Sequence, residues 1–83
     1  MKSISYSKSA LRALSRMPRT TAKLIVSKIE LYAADPAALA NNVKALRGRD
    51  EIRLRVGDWR VILVDGVVIE VIRIAARGDA YQE

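Results

Sequence analysis

The sequence predicts an α+β domain in which an N-terminal strand and an antiparallel helical hairpin pack on a C-terminal antiparallel β-meander. Three observations carry this. Ahead of Asp35-Pro36 the apolar residues recur at the three- and four-residue steps of a helix, and beyond it they alternate as in strands. The alternating half is interrupted by Gly57-Asp58 and Asp65-Gly66, dipeptides suited to tight hairpin turns. The 83 residues show no internal repeat, low-complexity tract or linker, so 1–83 reads as a single domain.

Ile4 and Tyr6 alternate with Lys2, Ser3 and Ser5, the pattern of a short first strand. Ser7 is placed to cap a helix that runs to about Arg16, with Leu11 and Leu14 on its buried side. Met17-Pro18 breaks that helix, and Pro18 suits the first turn of the next. There Ala22, Ile25, Val26, Ile29, Tyr32 and Ala33 form one apolar face, with Lys23 and Lys28 outside it. Asp35-Pro36 ends the second helix, because a residue before proline is pushed out of the helical region. Residues 37–50 carry the weakest pattern; 43–46 reads as a short strand and Arg47-Gly48-Arg49-Asp50 as a turn. Ile52, Leu54 and Val56 then alternate with Arg53 and Arg55, residues 59–64 form the next strand, and 67–75 the last.

Alternation fixes the sheet face that each side chain takes. With Gly57-Asp58 as a two-residue loop, Val56 pairs with Trp59, Arg55 with Arg60 and Leu54 with Val61. Ile52, Leu54, Val56, Trp59, Val61 and Leu63 then face the helices, so Trp59 reads as core. Arg53, Arg55 and Arg60 take the other face. A two-residue loop at Asp65-Gly66 would put Val71 opposite Arg60 and add Arg73, Ala75 and Arg77 to that face. Five arginines would share it. Arg55 opposite Arg60 is unfavourable, since like charges in a cross-strand pair destabilise by a few tenths to ~1 kcal/mol. The plain alternative is that each guanidinium points to water or meets Asp50, Glu51 or Asp58.

Two features strain this register. Glu70 falls on the apolar side with Ile72 and Ile74, so it sits at the rim of the core or the second hairpin has a longer loop. Ile62, Val64, Ile69 and Val71 fall on the arginine side, and an apolar strip of that size calls for a covering partner.

Composition narrows the chemistry. Fifteen Lys and Arg against nine Asp and Glu give a net charge of +6, with no Cys and no His. A disulfide framework is excluded, and so are Ser-His and Cys-His catalysis and zinc sites built from His and Cys. No cofactor or metal is expected. The longest apolar run, 61–64, is far short of a membrane span, and the N-terminus lacks a signal-peptide core, so a cytoplasmic address is the default expectation. The positive balance attracts polyanions, although a solvated basic surface is the simpler reading of charge alone.

Clustered guanidiniums suit phosphate, because their planar forks match oxygen pairs. A single anion needs one or two; five imply a polyanion or a highly charged transition state. RNA cleavage by its own 2′-hydroxyl has such a transition state, and preorganised cations aimed at it are a large catalytic contribution. A base for the hydroxyl and an acid for the leaving oxygen are still needed. Tyr81 follows Arg77 by four residues, and neighbouring cations would lower its phenol pKa. It could act as the base, stack on a nucleobase, or be an ordinary tail tyrosine. Lys44 is the other titratable cation near the sheet.

Taken together, these residues resemble the RelE/ParE superfamily of toxins from type II toxin–antitoxin systems. The matching stretches are Tyr6-Ser7-Lys8-Ser9-Ala10-Leu11, Ala34-Asp35-Pro36 and Lys44-Ala45-Leu46-Arg47-Gly48. The most specific is Ile52-Arg53-Leu54-Arg55-Val56-Gly57-Asp58-Trp59-Arg60-Val61-Ile62. The ending, from Val71-Ile72-Arg73 through Arg77 to Asp79-Ala80-Tyr81, is similar to the superfamily's close, with Ala75 or Ala76 where relatives have glycine.

The resemblance implies a RelE-like fold and a toxin neutralised by a cognate antitoxin. For the RelE branch it implies an endoribonuclease that cuts mRNA in the ribosomal A site. Arg60 and Arg77 then match the arginines that stabilise the transition state. Arg53 and Arg55 match basic positions serving proton transfer or phosphate contact, where several members have Lys, and the general base stays open. Tyr81 matches a tyrosine that orients or activates the nucleophile. Lys44, Arg47 and Arg73 are the accompanying RNA-binding candidates. The ParE branch shares the fold but poisons DNA gyrase, generally without the arginine–tyrosine set, so Arg60, Arg77 and Tyr81 together favour the RNase branch. A third reading is an inert component whose complex meets operator DNA only through the antitoxin. No membrane partner is implied.

Overall fold

Ser7 begins the tertiary structure by joining two elements far apart in sequence. In the computed structural model, which describes residues 2–45 and 50–76, β1 (Ile4–Tyr6) leads into an extended Ser7 and then α1 (Lys8–Arg16). The Ser7 Oγ accepts a hydrogen bond from the Ala10 N–H at 3.0 Å, satisfying one of the donors that a helix start leaves over. Met17 is extended and ends α1. After Pro18, α2 (Arg19–Ala34) runs to Asp35, whose N–H donates to the Leu31 carbonyl at 2.7 Å. A 3-10 helix, Pro36–Asn42, which the sequence pattern does not reveal, leads into β2 (Val43–Ala45). Then follow β3 (Glu51–Val56), β4 (Trp59–Asp65) and β5 (Ile69–Ala76). The end of the expected 43–46 strand at Leu46 and the expected Arg47-Gly48-Arg49 turn lie outside the described residues.

The five strands form one sheet in the order β1-β5-β4-β3-β2. The last three are the antiparallel meander, β2 pairs antiparallel with β3, and β1 lies parallel to β5 with Ile4 beside Ile69. One face of the sheet is covered by the helices. Ala10, Ile25, Ile29, Tyr32 and Ala33 bury against Leu54, Val56, Val61, Leu63, Ile69, Val71 and Ile74, with Leu39 closing one side. Each fully buried Ile or Leu contributes on the order of 2 kcal/mol. Trp59 packs partly buried against this core, as its parity predicts. Leu11 is a correction: it is 53 % exposed, while Ala10 is fully buried and Leu14 half-buried. The small Ala10 lets α1 approach the sheet, and Leu11 is turned one step off the contact line.

The first hairpin has the expected register, with Val56 opposite Trp59, Arg55 opposite Arg60 and Leu54 opposite Val61. The second does not. Residues 66–68 form a longer loop, so Val67 and Val68 lie outside the strand, and Asp65 pairs with Ile69. The ladder then shifts by one residue: Leu63 pairs with Val71, but Ile62 pairs with Arg73. Ile72 is the extra residue of a β-bulge, and Val71 is not opposite Arg60. The bulge reverses parity along β5. Ile69 and Val71 therefore point into the core, each 1 % exposed, while Glu70 turns to the other side. The apolar strip expected on the arginine side shrinks accordingly, to Ile62 and Val64. Ser7 holds the bulge: its Oγ donates to the Ile72 carbonyl at 2.6 Å and its N–H donates to the Val71 carbonyl at 2.9 Å.

A polar tie closes the β4–β5 end. Asp65 accepts hydrogen bonds from Lys2 Nζ through one oxygen and from Tyr32 Oη, at 2.9 Å, through the other. The Lys2 hydrogen bond is the main cause that holds the Asp65 carboxyl below its ordinary pKa, against a smaller upward push from burial. Burial, then the hydrogen bond to Asp65 and its charge, push the Tyr32 phenol up to about 12.

Ser7→Ala removes the cap and the bulge contact together and is expected to cost about 1–2 kcal/mol, read as a lower midpoint in urea unfolding. Tyr32 has a raised folded pKa, so its contribution is complete below the unfolded value of about 10. It is lost as pH rises through about 12. Melting temperature should fall over that alkaline window in the parent chain, and Tyr32→Phe should lack that part of the slope.

Candidate functional site

The face of the sheet turned away from the helices carries its charges in rows across the strands. Paired residues in adjacent strands share a face, which makes the rows readable from the register. One row is Lys44, Arg53, Ile62 and Arg73, on β2, β3, β4 and β5. The next is Arg55, Arg60 and Ala75. On the other side of the first row lie Glu51, Val64 and Glu70. Strand spacing puts Lys44 and Arg73 roughly 14 Å apart across the sheet, with successive rows about 7 Å apart. The face is therefore polarised, basic toward the β3–β4 turn and acidic toward the β4–β5 loop.

Arg60 is the anchored member. It is only 8 % exposed, and its Nη1 donates to the Gly57 carbonyl at 3.3 Å and the Trp59 carbonyl at 3.2 Å. A guanidinium stays protonated when buried, so it needs such acceptors. The turn supplies them because Gly57 has φ of +59°, at the first central position of the two-residue loop, while Asp58 keeps a negative φ. That is the pattern of a type II′ turn, whose twist suits a hairpin. Arg55 is exposed beside Arg60. Asn42, Arg55, Gly57, Asp58 and Arg60 line a cleft of about 500 Å³.

Arg53 and Arg73 are half-buried and flank Ile62, which is 5 % exposed; their aliphatic stems are its natural cover. None of Glu51, Arg53, Arg60 and Arg73 stands isolated. The groups with displaced pKa values, Tyr6, Tyr32 and Asp65, lie on the helix side of the sheet.

Of the residues singled out from sequence, Lys44, Arg53, Arg55, Arg60 and Arg73 come together on this one face. Arg73 arrives through the bulge and not through the expected register. Arg47, Arg77 and Tyr81 lie outside the described residues. Asn42 in the cleft was missed; the only signal was a polar Asn41-Asn42 pair directly before a strand. Asp58 was weighed as a counter-ion and is found lining the cleft. Chemically, the cleft offers guanidinium donors for phosphate oxygens, with an amide and a carboxylate at its edge for a neighbouring polar group.

Gly57→Ala should cost roughly 1–2 kcal/mol, because its φ is one that L side chains avoid. An added Cβ would have no neighbour within 4 Å, so the cost is confined to the backbone. Chemical unfolding of the variant against the parent measures it.

A family model described as ParE toxin of type II toxin–antitoxin system, parDE, matches residues 4–81. The fold is similar to that of solved toxin–antitoxin structures. A chain of the archaeal RelE–RelB complex from Pyrococcus horikoshii superposes with a TM-score of 0.79 at 24 % identity, covering 93 % of this chain and 96 % of that one. The isolated Escherichia coli RelE toxin gives 0.76 at 18 % identity, over 93 % and 85 %. A chain of the RelB–RelE antitoxin–toxin complex from Methanococcus jannaschii gives 0.72 at 22 %, over 94 % and 95 %. No curated protein matches the sequence significantly.

Proposed function

The chain belongs to the ParE toxin family of type II toxin–antitoxin systems, and from that premise we propose that it is a ribosome-dependent mRNA endoribonuclease restrained by a cognate antitoxin. The observation that carries the reading is the shared face: Arg55 and Arg60 in one cleft, with Lys44, Arg53 and Arg73 in the adjacent row. In this reading the 2′-oxygen of the substrate attacks the adjacent phosphorus. A P–O2′ bond forms and the P–O5′ bond breaks, leaving a 2′,3′-cyclic phosphate and a 5′-hydroxyl. The 2′-hydroxyl proton passes to a base, and the departing 5′-oxygen takes a proton from an acid. No metal ion is called on.

Arg60, with Arg77, holds the phosphorane oxygens as their charge grows. An anchored guanidinium suits that task, since it needs little reorganisation during the reaction. Arg53, Arg55 and Lys44 hold flanking phosphates, Arg47 and Arg73 add RNA contacts, and Tyr81 takes part in proton transfer. The antitoxin covers the sheet and groove with an amphipathic helix and a strand, and the complex meets operator DNA only through it.

A gyrase poison is the second reading, favoured by one observation: the matching family model is that of ParE toxins. A translation reaction separates the two. Primer extension should show new mRNA ends at A-site codons, and the upstream fragments should carry 2′,3′-cyclic phosphate. Intact message together with gyrase-dependent DNA breaks would reject the nuclease and support the second reading. In the same assay Arg60→Ala should lower cleavage by ~10²-fold or more, the usual loss for one transition-state donor. A folded Arg60→Ala protein that cleaves normally removes Arg60 from the mechanism.

A further inference from the structure

α2 is apolar on two sides, and the core accounts for only one of them. Ile25, Ile29, Tyr32 and Ala33 are its buried side. On the opposite side Thr20, Leu24, Ser27, Leu31 and Ala34 follow one another at steps of four, three, four and three residues, and all five are exposed. Leu24 is 49 % exposed and Leu31 39 %. A surface helix ordinarily turns charge to water at such positions. This stripe carries none, and its spacing is that of a coiled-coil seam, with Leu24 and Leu31 at a and Thr20, Ser27 and Ala34 at d. The Ser27 Oγ donates to the Leu24 carbonyl at 2.7 Å, so covering this serine strands no donor.

The charges beside the stripe identify what fits it. Lys23 and Glu30 flank it on one side, Thr21 and Lys28 on the other. Lys23 and Glu30 are seven residues apart, about 10 Å along the axis, too far to pair within one helix. A second α2 laid antiparallel brings Leu24 against Ser27 of the other copy and Leu31 against its Thr20. Each large side chain then meets a small one, and the helices can approach closely. In that register Lys23 of each copy faces Glu30 of the other, and Lys28 faces Thr21. A parallel pair would instead set Lys23 beside Lys28 and Glu30 beside Asp35, like charges at both places. The stripe is thus complementary to itself in one orientation and repulsive in the other.

We propose that the outer side of α2 is a self-association surface, through which two copies of this chain pair antiparallel about a twofold axis. The seam is short, at the small end of specific interfaces, so the dimer forms at high concentration and dissociates on dilution. It lies on the far side of the helices from the sheet. Pairing therefore leaves both arginine faces open, and the inference does not depend on the chemistry proposed above.

The test is sedimentation equilibrium of the full chain from micromolar to millimolar concentration. The weight-average mass should rise from 9.2 kDa toward twice that value. A mass that stays at 9.2 kDa throughout overturns the inference and leaves the stripe to a partner of another sequence. Leu24→Lys with Leu31→Lys should abolish association while a matched thermal melt confirms the fold; a folded double variant that still dimerises overturns the proposal. Lys23→Glu or Glu30→Lys alone should weaken association by about 3- to 10-fold, because symmetry makes two repulsive pairs of each change. The two changes together should restore it, and failure to restore it overturns the register. The chain has no Cys, so introduced thiols report the orientation directly. Under mild oxidation, Thr20→Cys mixed with Leu31→Cys should link across the two variants faster than either links to itself. Faster self-linking is the signature of a parallel pair and overturns the antiparallel seam.

Discussion

The requirement that shapes this domain is that β5 must serve both faces of the sheet. Its first half fills the core with Ile69 and Val71, and its second half presents Arg73 beside Ile62 on the other side. Strict alternation cannot do both. Keeping the early register would expose two aliphatic side chains worth about 2 kcal/mol each in the core. Continuing it unbroken would turn Arg73 toward apolar residues, where an uncompensated charge costs several kcal/mol. One extra residue, Ile72, resolves the conflict, and Ser7 secures its carbonyl while also starting α1. A single hydroxyl thus links the helix layer to the strand that changes sides.

The candidate site depends on that resolution and on a second local device. Arg60 is buried, yet it is held by carbonyls of a turn that its own strand helps to form. Glycine at the first turn position takes the positive φ that this tight turn requires. The guanidinium is oriented before any ligand arrives, which is what electrostatic stabilisation requires. The acids at the far end of the same face, Glu51 and Glu70, give the surface a direction. A polyanion is drawn to the β3–β4 turn and repelled from the β4–β5 loop.

Much of this was legible in the residues. Gly57-Asp58 fixed the first hairpin, and with it the positions of Arg53, Arg55 and Arg60 and the core role of Trp59. Ser7, Met17-Pro18 and Asp35-Pro36 bounded the helices, because capping and proline act locally. What failed was whatever depended on distant packing. Asp65-Gly66 was too strong a turn signal, and the true loop adds Val67 and Val68. The bulge left one trace, Glu70 stranded among isoleucines, which parity alone could not resolve. Leu11 looked like core by spacing, but Ala10 set the closest approach of α1. The 3-10 helix and Asn42 lay in a stretch with no periodicity at all.

The parallel pairing of β1 with β5 has a consequence for the order of events during synthesis. Ile4 has no neighbour in the sheet until Ile69 exists, because no strand made earlier lies beside it. Until then a nascent chain leaves the apolar side of α1 without β5, its main partner, whereas α2 can already pack on the 3-10 helix and β3. Pairings so remote in sequence are slow to form, and exposure of this kind invites aggregation. Closure is a late step, and a product truncated before the last strand keeps the β3–β4 arginines but lacks Arg73 and leaves β1 without its neighbour.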